Sequence, residues 1–150
     1  MMVQVHEVAS IPLAVIKRQA ELSDVRRLVP ECCGLVWNVL REQQVRGGRY
    51  VAIYWDGTIR LEVGAEIDGP FSVSGEVVRS ATPSGLVATT THLGTYQTLH
   101  RAHTLIHEWC REKSVRLAGP SWEIYGHWQD EWNTDPSQIR TDVFFQVVKD

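Results

Sequence analysis

Gly119-Pro120-Ser121-Trp122-Glu123-Ile124-Tyr125 is the stretch on which the reading of this chain turns, because it sets one carboxylate inside an apolar, aromatic run. Glycine and proline open it, and the residues after them alternate as a strand does, with successive side chains pointing to opposite faces of a sheet. Ser121, Glu123, Tyr125 and His127 share one face, and Trp122, Ile124, Gly126 and Trp128 share the other. A carboxylate flanked by rings is either a solvated strand residue or the anchor of a pocket for a cationic or polarised aromatic ligand. The strand by itself leaves both readings open.

The rest of the chain bounds the choice. Its 150 residues, 43% of them hydrophobic, suffice for one globular domain with its own core. A net charge of -3, with 15 basic residues scattered rather than clustered, argues against direct nucleic-acid binding. Three cysteines, two of them adjacent at Cys32-Cys33, do not make a disulfide framework, and a reduced cytoplasmic setting is expected. The N-terminal residues lack a basic region followed by an apolar run, and no apolar stretch reaches about 18 residues. Neither secretion nor membrane insertion is therefore expected. Six tryptophans are many for this length, and their first role is core packing.

Taken in order, Val3 to Val8 and Leu13 to Arg18 read as two strands. Val25, Leu28, Val29, Cys32, Cys33, Val36, Val39 and Leu40 recur at helical spacing, interrupted by Pro30. Proline is tolerated in a first helical turn, so the main helix is expected from about Pro30 to Gln44, ended by Gly47-Gly48. Tyr50 to Trp55 and Ile59 to Ile67 read as a hairpin around Asp56-Gly57. After the break at Asp68-Gly69-Pro70 come two strands, Glu76 to Ala81 and Leu86 to His92, joined at Pro83-Ser84-Gly85. A helix opens near Gly94-Thr95, with Leu99, Ala102, Leu105, Ile106, Trp109 and Cys110 on one stripe, and ends near Lys113. The opening strand comes next, then a polar loop over residues 130–137 and a last strand from Arg140 to Val148.

The order strand, strand, helix, strand, strand thus occurs twice. The register agrees: Gly48, Ile53 and Tyr54 match Gly119, Ile124 and Tyr125 at one offset of 71 (119 minus 48, 125 minus 54), which sets Ala52 against Glu123. A single domain of two repeats, about 1–67 and 75–150 with a connection over 68–74, is expected. Two such halves leave a cleft where they meet, with the carboxylate supplied by one of them.

His92, Gly94, Tyr96, Leu99, Ala102, Leu105 and Trp109 resemble the H-x-G-x-Y-x-x-L helix entry of the GyrI-like small-molecule-binding family. Gly119, Glu123 and Tyr125 are similar to its G…E-x-Y strand, and Thr141, Val143 and Phe144 to its closing T-x-(I/V)-(Y/F) strand. With the weaker match of the Tyr50 to Ile67 hairpin, the resemblance covers nearly the whole chain. Members also serve as effector-binding modules of AraC- and MerR-type multidrug regulators. The resemblance implies an α+β fold: two pseudo-symmetric strand-helix-strand-strand (SHS2-type) repeats forming an antiparallel sheet with a central ligand pocket. It also makes Glu123 the pocket glutamate. Gln146 departs from the proline common there, and Trp55, Trp122 and Trp128 make this version richer in indoles.

The function this implies is that of a stand-alone protein holding lipophilic aromatic or cationic small molecules, for sequestration or detoxification. Glu123, Tyr125, Tyr50, Tyr54, Trp55, Trp122 and Phe144 are the expected ligand-binding residues. Two alternatives accompany it. Some members hydrolyse the cyclopropane of cyclopropanoid genotoxins, and here Glu123 would activate water while Tyr125 or Tyr54 stabilised the developing oxygen charge. The family name also implies a protein partner, such as gyrase. No cofactor is expected. His100, His103 and His107 share a helix face at metal-ligand spacing, but with no fourth ligand in view they read as a solvated face or partner surface, and no metal is expected. His92 is expected to hydrogen bond the turn after it, and the three cysteines to be core thiols.

Overall fold

This computed structural model describes residues 2–56 and 60–148, and among them eight strands and two α-helices form. The first half holds β1 (Gln4–Val8), β2 (Pro12–Gln19), α1 (Val25–Glu42), β3 (Arg46–Tyr54) and β4 (Arg60–Asp68). The second holds β5 (Val78–Ala81), β6 (Gly85–Leu93), α2 (His100–Glu112), β7 (Leu117–Tyr125) and β8 (Arg140–Val147). All eight strands join one antiparallel sheet in the order β1-β6-β8-β7-β3-β4-β2-β5. Taken from either end, that order visits equivalent strands of the two halves.

The outer strands are exchanged between the halves. β5 and β6 are consecutive but do not pair: β5 lies on β2, through Pro12↔Ala81 and Val15↔Val78, while β1 lies on β6, through Gln4↔Thr89 and Val8↔Gly85. Each half thus gives its first strand to the other. The exchange has a physical reason, since either half alone would leave β2 or β6 as an edge with unpaired N–H and C=O groups. Gly85, at φ +116°, takes the left-handed backbone that redirects the chain between them.

The halves meet along β3 and β7, which pair through Tyr50↔Tyr125, Ala52↔Glu123 and Tyr54↔Ser121. Ala52 and Glu123 are therefore both equivalent by repeat and opposite by register, which puts the pair on the pseudo-two-fold axis. Both strands carry an irregularity before this contact, β3 between Gly47 and Tyr50 and β7 between Leu117 and Ser121. Gly119 allows the second one, at φ +122°.

The helices differ from expectation at two points. α1 begins at Val25, so Pro30 lies inside it rather than in its first turn. Proline leaves the Arg26 carbonyl without its helical donor, a local cost that the burial of Cys32, Val36 and Leu40 outweighs. Gly47-Gly48 does not stop the helix but lies in β3. The reversal is made by Gln44 at φ 57°, and Ser114, also at φ 57°, does the same after α2. The Asp56-Gly57 turn falls partly on residues 57–59, outside the described residues.

Both helices pack on one face of the sheet. α1 buries Cys32, Val36 and Leu40 against Ala14, Ile16, Ala52, Leu61, Val63 and Ala65. α2 buries Ala102, Ile106 and Cys110 against Ala88, Val143, Phe145 and Val147. The opposite face holds Leu13, Val15, Val51, Ile53, Val87, Trp122 and Ile124 in a single cluster. β2 and β6 are separated by four strands in the sheet yet both enter that cluster, so the sheet curls around it.

Candidate ligand cleft

Between α1 and α2 the sheet is left uncovered, and the cavity there has a volume of about 1670 Å³. Its floor is made by the helix-side residues of β3 and β7: Tyr50, Tyr54, Ser121, Glu123 and Tyr125, with Phe145 of β8. One wall is α1, presenting Arg26, Pro30, Cys33 and Trp37. The other is α2 with the turn before it, presenting Tyr96, His100, His103 and His107. His127 and Trp128, beyond the end of β7, both reach the cavity, so the alternation of that strand ends with Tyr125.

Glu123 is 5% exposed and is the sole acidic residue among the described residues lining the cavity. Burying a carboxylate is costly unless its lone pairs are used, and here they are. Its Oε1 accepts from the hydroxyls of Tyr125 at 2.6 Å and Tyr54 at 3.1 Å, and its Oε2 lies 2.6 Å from Nε2 of His103. The tyrosines come from β7 and β3 and the histidine from α2, so both halves of the sheet and a helix hold the carboxylate. Burial, and after it the Glu123 charge, keeps both hydroxyls protonated: Tyr54 and Tyr125 are each pushed well above the ordinary tyrosine range.

Rings enclose this centre. Tyr96 meets Tyr125 edge-on at 5.8 Å, and the His103 and His107 rings meet Phe145 edge-on at 5.3 and 4.9 Å. Among the cations, Arg49 is held by Glu66, its Nε donating to Oε1 at 2.8 Å and an outer nitrogen to Oε2 at 3.0 Å. The guanidinium holds the Glu66 carboxyl below the usual range. Arg26 stands exposed at the rim. The Cys33 thiol is pushed up to about 12, by burial first and by Cys32 second, so it is an uncharged wall residue.

Four of the seven residues singled out in the sequence, Glu123, Tyr125, Tyr50 and Tyr54, come together on the floor. Trp122 and Phe144 do not. They lie on the far face, stacked on one another at 5.4 Å and 9°, as the alternation that opposes Trp122 to Glu123 requires. Trp55 falls in a smaller depression beside Lys17, Arg18 and Arg60. Phe145, one position on from Phe144, is the ring that faces the cavity. Sequence reasoning also missed Trp37, Tyr96 and Trp128 as lining residues and, above all, His103: its helical spacing with His100 and His107 is visible in the chain, but not that this face is turned to a carboxylate 20 positions away. His92 caps the turn after it, with Nε2 3.1 Å from the Thr95 carbonyl and 3.2 Å from the Thr98 hydroxyl. Among the described residues no cluster of three or more His, Cys, Asp or Glu side chains could hold a metal, and no helix is long and apolar enough to cross a membrane.

A fold of exchanged repeats with a ligand-sized cleft on their axis defines a class of binding domain, and comparison with known proteins agrees. The chain belongs to the GyrI-like small molecule binding domain family, whose model matches residues 1–148. Among solved structures it is similar to the EcmrR C-terminal domain, at TM-score 0.81 and 16% identity, covering 99% of this chain and 98% of that one. It also covers 58% of the EcmrR chain in a DNA complex, at TM-score 0.79 and 17% identity over 99% of this chain. SAV2435 bound to tetraphenylphosphonium is similar at TM-score 0.71 and 14% identity, covering 99% and 94% of the two chains. A hydrolase from Listeria innocua shares the fold at TM-score 0.61 and 10% identity, covering 97% and 91%. No curated protein sequence matches. At these identities the likeness is one of fold.

Proposed function

We propose that this domain binds lipophilic aromatic or cationic small molecules in the cleft between α1 and α2, with Glu123 as the central anion, in the service of sequestration or detoxification. The observation that carries the reading is a single buried carboxylate on the floor of a large cavity that also presents tyrosine, tryptophan and phenylalanine rings. Tyr50, Tyr54, Tyr96, Tyr125, Trp37 and Trp128 offer π-faces to a flat or cationic ligand, and Glu123 offers the charge. Tetraphenylphosphonium, the ligand bound to SAV2435, has this chemistry and lends support. Trp37 and Trp128 report on occupancy. Titration with rhodamine 6G is expected to quench tryptophan fluorescence saturably, and quenching that rises linearly without saturation would remove the cleft as its site.

A hydrolytic role for the same residues is the second reading, favoured by a carboxylate within hydrogen-bond reach of two phenol hydroxyls. Water would attack the cyclopropane carbon as Glu123 took its proton; the ring C–C bond would break, its electrons passing to the conjugated carbonyl oxygen, which Tyr125 or Tyr54 would protonate or stabilise. Binding ranks first for a geometric reason. Both hydroxyls already donate to Oε1, so either must turn away from Glu123 before it can serve an incoming oxygen. Incubation with a cyclopropanoid compound and mass spectrometry separates the two: a product heavier by one water supports hydrolysis, and unchanged compound removes it.

A further inference from the structure

We propose that His103 is the resident counter-ion of Glu123 and sets the charge the cleft accepts, so that an organic cation binds in exchange for the imidazolium proton. This rests on the binding function proposed for the cleft and specifies its ligand selectivity.

Of the three side chains bonded to Glu123, Tyr54 and Tyr125 are neutral donors, and His103 is the one able to carry a positive charge. Its Nε2 lies 2.6 Å from Oε2, with the imidazole 24% and the glutamate side chain 6% exposed. With the carboxylate this deeply buried, its partner's charge is felt more strongly than it would be in bulk water. With His103 protonated, the pair is neutral overall and offers a cation little. With His103 neutral and its proton on Nε2, the same hydrogen bond is kept, and the floor carries one net negative charge. A ligand cation beside Glu123 also repels an imidazolium in contact with the same carboxylate. Cation and proton therefore compete for one anion.

The other charged and titratable groups around His103 do not substitute for it. His100 and His107 share its helix, and His107 instead packs edge-on against Phe145. From α1, across the cavity, come the uncharged Cys33 and the exposed Arg26; from the sheet come Tyr50, Tyr54, Tyr125 and Arg49, the last paired with Glu66. His127 stands at the cavity end, beyond β7. Of these groups, the two tyrosines Tyr54 and Tyr125 are the ones that bond to Glu123.

Linkage gives the sign. If the bound state disfavours imidazolium, a permanent cation binds fully to the form with neutral His103 and more weakly to the imidazolium form, so affinity changes by at most about tenfold per pH unit for one proton released. The probe is tetraphenylphosphonium, which has no titratable group, with affinity measured by calorimetry from pH 8 to pH 5. In the unmodified protein we expect binding to weaken toward pH 5, with up to one proton released per ligand when the heat is compared in two buffers of different ionisation enthalpy. His103→Gln, which keeps an N–H donor toward Oε2, is expected to flatten the profile and to bind more tightly than the unmodified protein at pH 5. His100→Gln, His107→Gln and His127→Gln are expected to keep the slope. Binding that is pH-independent, or a slope that survives His103→Gln, overturns the inference while leaving the cleft a cation site. Absence of binding at every pH overturns the functional reading itself. Should His103→Gln not fold, the two-buffer proton count on the unmodified protein decides, and release of no proton is the contrary result.

Discussion

The two halves of the molecule present the same architecture and opposite chemistry. In the helices the buried triplets correspond at an offset of 70 (102 minus 32, 106 minus 36, 110 minus 40), and the cleft-facing residues obey the same offset: Cys33 answers to His103 and Trp37 to His107. On the strands Ala52 answers to Glu123 at the axis. The first half thus contributes a thiol, an indole and a methyl where the second contributes two imidazoles and a carboxylate. Symmetry builds the cavity, and the departure from it gives the cavity a polarity. A pair of identical halves carrying the second half's chemistry would place two carboxylates in contact on the axis, a buried like-charge pair whose cost is severe.

Making the halves alike is accordingly the harshest perturbation of that contrast. Ala52→Glu sets a second carboxylate against Glu123 within a fully buried position, and it is expected to lower stability by about 3–5 kcal/mol in urea unfolding. A milder perturbation raises pH instead. All four tyrosines have raised pKa values, so each favours the folded state while neutral; their contribution is complete below the unfolded value near pH 10 and is lost as pH rises toward the folded values. For the deeply buried Tyr54 and Tyr125 the loss approaches ~1.4 kcal/mol per pH unit each, while Tyr50 and Tyr96, nearer solvent, contribute less. Alkaline unfolding followed by circular dichroism checks this.

Removing one hydroxyl at a time compares the halves directly. Tyr125→Phe breaks the 2.6 Å bond within the charged half and is expected to cost about 1–2 kcal/mol, whereas Tyr54→Phe, losing the 3.1 Å bond from the other half, costs about 1 kcal/mol or less. Urea unfolding of the two variants ranks them. The smallest effect on stability belongs to the walls. Trp37 is 48% exposed, and Trp37→Ala is expected to change stability by no more than about 0.5 kcal/mol while weakening aromatic ligands several-fold. A larger loss of stability than of affinity would make Trp37 a packing residue.

The parts of this arrangement that depend on local spacing are legible in the sequence. Period-two alternation places Glu123 and Tyr125 together and opposes them to Trp122, and the offset of 71 sets Ala52 against Glu123. The parts that depend on contacts between distant segments are not. Alternation cannot reveal that β1 and β5 are exchanged, because pairing partners carry no local mark. Pro30 argues for a later helix start, but tertiary burial of the stripe behind it overrides the local rule. Three histidines on α2 carry a visible spacing and no indication of what they face, because that depends on how the helix docks on the sheet. Trp122 and Phe144 stand out as rings, although the parity of Trp122 already assigns it to the far face, where the two stack.

Glu123, present in one half only, is the residue on which the proposed cation site rests. The decisive comparison is calorimetric titration of tetraphenylphosphonium at pH 8 into the unmodified protein and into Glu123→Gln, since glutamine keeps the shape and an acceptor for the tyrosine hydroxyls while removing the charge. Affinity is expected to fall at least about tenfold, or roughly 1.4 kcal/mol, in a variant that unfolds at nearly the same temperature. Equal affinity in the two proteins would mean that the carboxylate plays no part in holding the cation.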